Sequence, residues 1–226
     1  MCDSILALKK IILEKRTNIC FAGDFDTLEE VINVVDEIGP YICLLKTHVD
    51  IYTDFSFEKI NKLKSLSKHH NFLIWEDRKF ADISKIVIKQ LTSGIYKIAT
   101  WADFVTAHSI LGMHTIKELG GICEINGVGL ILLAQMSSKD NLISSDYVRE
   151  TVNMAKDIPS VQAIVTQERL NADLLHITPG VKMEKSIVKD QQYRTPTEID
   201  TDIFVIGASN NKNKVKMYQE MCFRSD

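Results

Sequence analysis

Asp77, Lys79 and Asp82 form a compact set of charges of alternating sign within Trp75-Glu76-Asp77-Arg78-Lys79-Phe80-Ala81-Asp82-Ile83. The set follows the apolar run Asn71-Phe72-Leu73-Ile74, which is too short for a helix and reads as a buried strand. Alternate side chains of an extended backbone share a face, so Asp77 and Lys79 are expected to point the same way, about 7 Å apart. Asp82 falls where the chain is expected to turn into a helix over 83–92. A carboxylate beside an ammonium keeps both ionised, because each favours the charged form of the other. The same pattern describes a strand-end salt bridge of little energetic worth. What else the chain brings to that place decides between the two.

The elements around this stretch have a regular cadence. Residues 4–16 carry Ile5, Leu8, Ile11 and Ile12 at helical spacing. A first buried strand over 18–22 ends at Gly23-Asp24, and Asp26 or Thr27 can cap the next helix. Gly39-Pro40 stops that helix, and a second strand over 41–45 ends at Lys46-Thr47-His48. A helix over 55–69 precedes the strand before Asp77. Further strands are expected over 102–106, 128–134, 161–165, 174–177 and 203–206, with helices near 110–119, 145–156 and 213–223. Eight short β-rich runs alternating with helices point to an α/β chain folded as a (β/α)8 TIM barrel, one domain over 1–226. An open doubly wound sheet is the competing architecture.

Composition agrees with one large domain: 226 residues, 45% hydrophobic and 25% charged. A formal net charge of -3 argues against nucleic-acid binding through bulk positive charge. The five cysteines (Cys2, Cys20, Cys43, Cys123, Cys222) are scattered, without a C-x-x-C pair, and read as reduced core residues in a cytoplasmic protein. No apolar run approaches the ~18 residues of a membrane span, and the N-terminus lacks a signal pattern.

In a parallel barrel the chemistry sits at the C-terminal ends of the strands. The residues expected there are Asp24, Lys46 with His48, Asp77 with Lys79, Ser137, and Pro179-Gly180. Charges at the mouth of an apolar barrel are costly unless paired, and a set at equivalent positions favours function over a chance surface cluster.

These residues lie in blocks that resemble the orotidine 5'-phosphate decarboxylase family in its eukaryotic form. The blocks are Leu44-Leu45-Lys46-Thr47-His48-Val49-Asp50, the 72–83 stretch around Asp77, Gly94-Ile95-Tyr96-Lys97-Ile98-Ala99-Thr100-Trp101-Ala102-Asp103, Ala134-Gln135-Met136-Ser137-Ser138, Leu175-His176-Ile177-Thr178-Pro179-Gly180-Val181 and Gln191-Gln192-Tyr193. They run in family order over about residues 18–207. The resemblance implies the decarboxylase part alone, converting orotidine 5'-phosphate to UMP in pyrimidine biosynthesis without a metal or other cofactor. It implies a catalytic array of Lys46, Asp77 and Lys79, completed by Asp82 from the other subunit of a homodimer. Lys79 would protonate C6 as carbon dioxide leaves. Asp24 and Lys46 would hold the ribose, Ser137 the pyrimidine edge, and Gln191 and Tyr193 the phosphate, with Pro179 also among the substrate-binding residues and His48 positioning its neighbours.

The chain departs from the family pattern at several places. Ala208 stands where the family carries an arginine that grips phosphate, Ile86 replaces a threonine, and Ala22 replaces a serine. The 179–191 loop carries Lys182, Lys185 and Lys189, with Ser186-Ile187-Val188 in place of a glycine-rich centre. Lys212 or Lys214 is then a candidate replacement cation. Two other readings follow: a silent homologue kept for binding or regulation, and a different phosphate-sugar decarboxylase. The intact array favours the first reading over the silent homologue.

Overall fold

The computed structural model describes residues 3–183, 193–207 and 211–223. Eight parallel strands pair in sequence order and the last closes on the first: β1 (Ile19–Ala22), β2 (Leu44–Thr47), β3 (Leu73–Phe80), β4 (Phe104–His108), β5 (Gly129–Leu133), β6 (Val161–Val165), β7 (Leu175–Val181) and β8 (Ile203–Ile206). The helices are α1 (Asp3–Lys15), α2 (Leu28–Ile38), α3 (Phe57–His70), α4 (Ser84–Thr92), α5 (Gly112–Ile125), α6 (Ser145–Asp157) and α7 (Lys212–Cys222). The closed parallel barrel is therefore present, and an open sheet is excluded. Among the described residues no helix is long and apolar enough to cross a membrane.

Strand alternation sorts the apolar side chains into two cores. Outward residues such as Ile19, Phe21, Leu45 and Ile74 pack under the helices with Val31, Val35, Ile60, Leu63 and Val87. Inward residues Cys20, Ala22, Leu44, Trp75, Phe104, Ile131, Leu133, Ala163 and Ile177 fill the barrel. Ile5, Leu8 and Ile11 of α1 belong to this inner core, so α1 closes the N-terminal end of the barrel. Gly129 admits the Phe104 ring, which a Cβ there would meet at 2.4 Å. The indole Nε1 of Trp75 donates to Thr106 Oγ1 at 2.6 Å, satisfying a polar pair inside the apolar filling. Cys20, Cys43, Cys123 and Cys222 are buried.

Several boundaries differ from the expectation. Gly39–Tyr41 forms a 3-10 turn and β2 starts at Leu44, which places Lys46 and Thr47 inside the strand. β3 runs on through Asp77 and Lys79 to Phe80 instead of ending at Ile74, and β4 reaches His108. The alternation with α-helices is also incomplete among the described residues. Between β6 and β7 the chain returns without a helix, and its turn is held by side chains. His176 Nε2 accepts from the Leu170 and Asn171 N–H groups at 3.0 and 3.3 Å. Arg169 pairs with Asp200 and Asp202 at 2.9 and 3.0 Å.

Lys15 fastens the closing helix. Its ammonium donates to the carbonyls of Gly39, Ile42, His70 and Asn71 at 2.6–2.9 Å, which gathers the carbonyl ends of α2 and α3, where the helix dipoles favour a cation. Burial nonetheless pushes its pKa down to about 8. Replacing Lys15 with Met should leave several of these carbonyls without a donor and cost about 3 kcal/mol of stability, read as a lowered denaturation midpoint with the barrel's circular dichroism unchanged.

Candidate active site

Interior-facing parity carries polar side chains up to the C-terminal mouth. On β2 it runs from Leu44 to Lys46, and on β3 from Trp75 to Asp77; Lys46 is in register with Trp75 and with Ala22 of β1. Lys46 is 6% exposed, as is Asp77. The Lys46 ammonium donates to Asp24 Oδ1 at 2.9 Å, in the loop that leaves β1. His48 follows β2, its Nε2 3.6 Å from Asp77 Oδ2 and 4.0 Å from Asp24 Oδ1. Lys79 donates to Asp77 Oδ2.

Lys79 reaches Asp77 by a device that alternation did not foretell. The β3–β4 register shifts between Glu76 and Phe80, and Lys79 adopts φ 52°, left-handed backbone that is uncommon for a residue with a Cβ. Arg78 instead approaches Asp50, at 3.8 Å. The lysine thus folds back onto its neighbour's carboxylate in place of standing one strand repeat away.

The charges decide the protonation states. Burial alone would raise the Asp77 pKa, but Lys79 and then Lys46 and His48 outweigh it and hold the carboxyl below its ordinary value. Its second oxygen, Oδ1, is buried without a hydrogen-bond donor among the described residues. His48 goes the other way: burial, then the Lys46 charge, pushes its pKa down to about 4 despite the two carboxylates. It is a neutral imidazole near pH 7, and 3.6 Å is beyond hydrogen-bond length.

The remaining expected residues have separate settings. Asp82 is exposed, accepts from the Ile83 N–H at 2.7 Å, and has no basic partner among the described residues. Ser137 is half-buried beyond β5, and Pro179 lies in β7 with the inward parity of Leu175 and Ile177. Tyr193 is half-buried, with the Lys182 ammonium 3.7 Å from its ring centroid. Lys212 is turned away from the mouth, 5.7 Å from the ring of Tyr41 in the turn that leads into β2, and Lys214 is exposed. Gln191, Ala208, Lys185, Lys189 and the 186–188 segment lie outside the described residues.

Two residues at this mouth escaped the sequence reading. His108 ends β4 with the inward parity of Phe104 and Thr106; burial and the Lys79 charge lower its pKa. Glu76 faces the opposite way from Asp77 and is 0% exposed. The Lys-Thr-His block and the Glu-Asp pair were both visible, but their mutual contact depends on strand register.

Comparison with known proteins bears on the chain as a whole. The family model described as Orotidine 5'-phosphate decarboxylase / HUMPS family matches residues 17–216. The orotidine 5'-phosphate decarboxylase of Candida glabrata is 45% identical over 214 residues, covering 88% of this chain and 81% of that protein. The one of Phycomyces blakesleeanus is 40% identical over 211 residues, covering 89% and 79%. Among solved structures, the orotidine 5'-monophosphate decarboxylase of Methanocaldococcus jannaschii superposes with a TM-score of 0.69 at 21% identity, over 91% of this chain and 98% of that one. That likeness concerns the fold.

The depressed His48 pKa gives a test with a fixed sign. The unfolded chain takes up a proton near pH 6.5, whereas the folded imidazole takes it up near pH 4. Stability linked to His48 is therefore full above about pH 6.5 and is lost as pH falls towards 4. In a His48→Asn protein this part of the acid destabilisation should disappear, and NMR of the wild type should show no His48 titration above about pH 5.

Proposed function

The chain belongs to the orotidine 5'-phosphate decarboxylase / HUMPS family, and from that premise we propose that it converts orotidine 5'-phosphate to UMP and carbon dioxide without a cofactor. The observation that carries this reading is the buried Asp77 carboxylate with Lys79 folded onto it and Lys46 and Asp24 paired alongside. In the reaction the bond from C6 to the substrate carboxylate breaks, and its electron pair stays on C6. Lys79 supplies the proton that C6 takes up. An ammonium fixed beforehand where negative charge develops lowers the barrier without reorganisation. Asp77 faces the departing carboxylate, and the two like charges separate as carbon dioxide leaves.

The other roles follow the same pattern. Asp24 and Lys46 hold the ribose hydroxyls, and Ser137 with Pro179 borders the pyrimidine. Gln191 and Tyr193 serve the phosphate, where Ala208 offers no guanidinium and Lys182 beside Tyr193 supplies positive charge. His48, neutral, acts through its neighbours. Asp82 completes the array of a second copy of the chain, in the cytoplasm, as a homodimer. What supports this pairing is the exposure of Asp82 together with the apolar Ile83 and Ile86, 67% and 37% exposed, beside it on the entry to α4.

Two measurements test the reading. Lys79→Ala should lower kcat for orotidine 5'-phosphate by 10²–10⁴-fold or more, roughly the worth of a positioned proton donor, with the melting transition retained. Wild-type turnover in that variant overturns the role of Lys79, and an inert wild-type protein overturns the activity itself. Mixing inactive Lys79→Ala and Asp82→Ala proteins should restore part of the activity through hybrid dimers. Lack of recovery after verified subunit exchange overturns the shared site.

A further inference from the structure

We propose that Glu76 is a positioning residue of this site, whose carboxyl sets the His48 segment, and through it Lys46, against Asp77. The proposal rests on the decarboxylase reading, which it deepens. Glu76 and Thr47 are register partners across β3 and β2. Glu76 Oε2 accepts from Thr47 Oγ1 at 2.7 Å and from the Val49 N–H at 3.1 Å, and Oε1 lies 3.2 Å from that same N–H. Thr47 and Val49 are the two residues that flank His48. One side chain therefore holds both sides of the point where β2 gives way to the 3-10 turn Val49–Ile51, while the next residue of its own strand is Asp77. His48 itself has irregular backbone, φ -127° and ψ 87°, so no regular ladder fixes it in place of these bonds.

The surroundings make the anchor selective for a neutral carboxyl. The charged or titratable groups facing Glu76 are Asp77 on its own strand, Asp50 in the 3-10 turn and Tyr52 beyond it. Arg78 approaches Asp50, and the Tyr52 hydroxyl donates to Gly23 O at 2.8 Å, next to Asp24. Burial pushes the Glu76 pKa up to about 8, with Asp77 and Asp50 adding to it and the Thr47 and Val49 donors opposing. Near pH 7 the group keeps its proton, and its carbonyl oxygen serves both donors without setting a second buried anion beside Asp77. Ionisation at higher pH introduces that anion.

The test uses Glu76→Gln, which keeps an acceptor oxygen but cannot ionise, and Glu76→Ala, which removes the anchor. With orotidine 5'-phosphate at pH 7 the Gln protein should retain kcat within about threefold. The Ala protein should lose roughly 10- to 100-fold, the scale of a small misplacement of a reacting array, mostly in kcat. Wild-type kcat should fall on an alkaline limb near pH 8 that the Gln protein lacks, a change that a merely structural side chain would not produce. If the Ala protein fails to fold, the limb in the Gln protein alone decides. A wild-type limb in the Gln protein, or wild-type kcat in a folded Ala protein, overturns the proposal. The NMR signals of the His48 ring give a readout without substrate. If the wild type proves inert yet those signals move in a folded Ala protein and stay in the Gln protein, the anchor stands while the decarboxylase reading falls; unmoved signals overturn the anchor.

Discussion

A carboxylate kept ionised inside the rim of an apolar barrel is the condition on which the rest of this molecule depends. Asp77 stands one inward step above Trp75, in surroundings that by themselves would neutralise it. Two ammonium groups prevent that, and each needs its own support. Lys46 is held by Asp24 in the loop after β1, and Lys79 by a left-handed backbone within a strand irregularity. Bringing these charges out of water costs stability that the two apolar cores must supply. The barrel is thus a frame that holds a desolvated charge array at the end where parallel barrels carry chemistry.

Around that centre, protonation is arranged by position. Asp77 and Glu76 are consecutive, yet one is held anionic and the other pushed towards neutrality. The difference comes from strand alternation: one side chain meets lysines at the mouth, the other meets a hydroxyl and an amide beneath the helical layer. Two like groups pushed apart in this way are a recurring sign of divided labour in active sites. His48 remains neutral between two carboxylates because burial and the neighbouring lysines win.

Most of the architecture was legible in the sequence, because short apolar runs recur between amphipathic segments. The boundaries of β2, β3 and β4 were not. Lys46, Asp77, Lys79 and His108 are polar, so periodicity assigns them to loops, although Lys46 and His108 pair within strands and Asp77 and Lys79 lie inside β3. The left-handed turn at Lys79 had no glycine or asparagine to announce it. No helix was expected between β6 and β7, but the bonds that hold that connection were hidden, since they join His176, Arg169 and Asp202 from distant positions. Asp24, Lys46 and Asp77 were readable as strand-end charges because parallel topology fixes where strands end. The Glu76 contact needed register, which no single segment encodes.

The closing helix α1 has a consequence for how the molecule is made. It is made before every strand of the barrel, yet Ile5, Leu8 and Ile11 belong to one core with residues of β1 through β8. The carbonyls that receive Lys15 belong to the ends of α2 and α3 and the residues just beyond them. During synthesis this amphipathic segment must wait, its apolar face uncovered, until the barrel it seals exists. Such long-range closure slows folding and lengthens the time during which sticky surface is exposed. The same helix that finishes the native barrel is therefore, while the strands are still being made, an aggregation-prone segment.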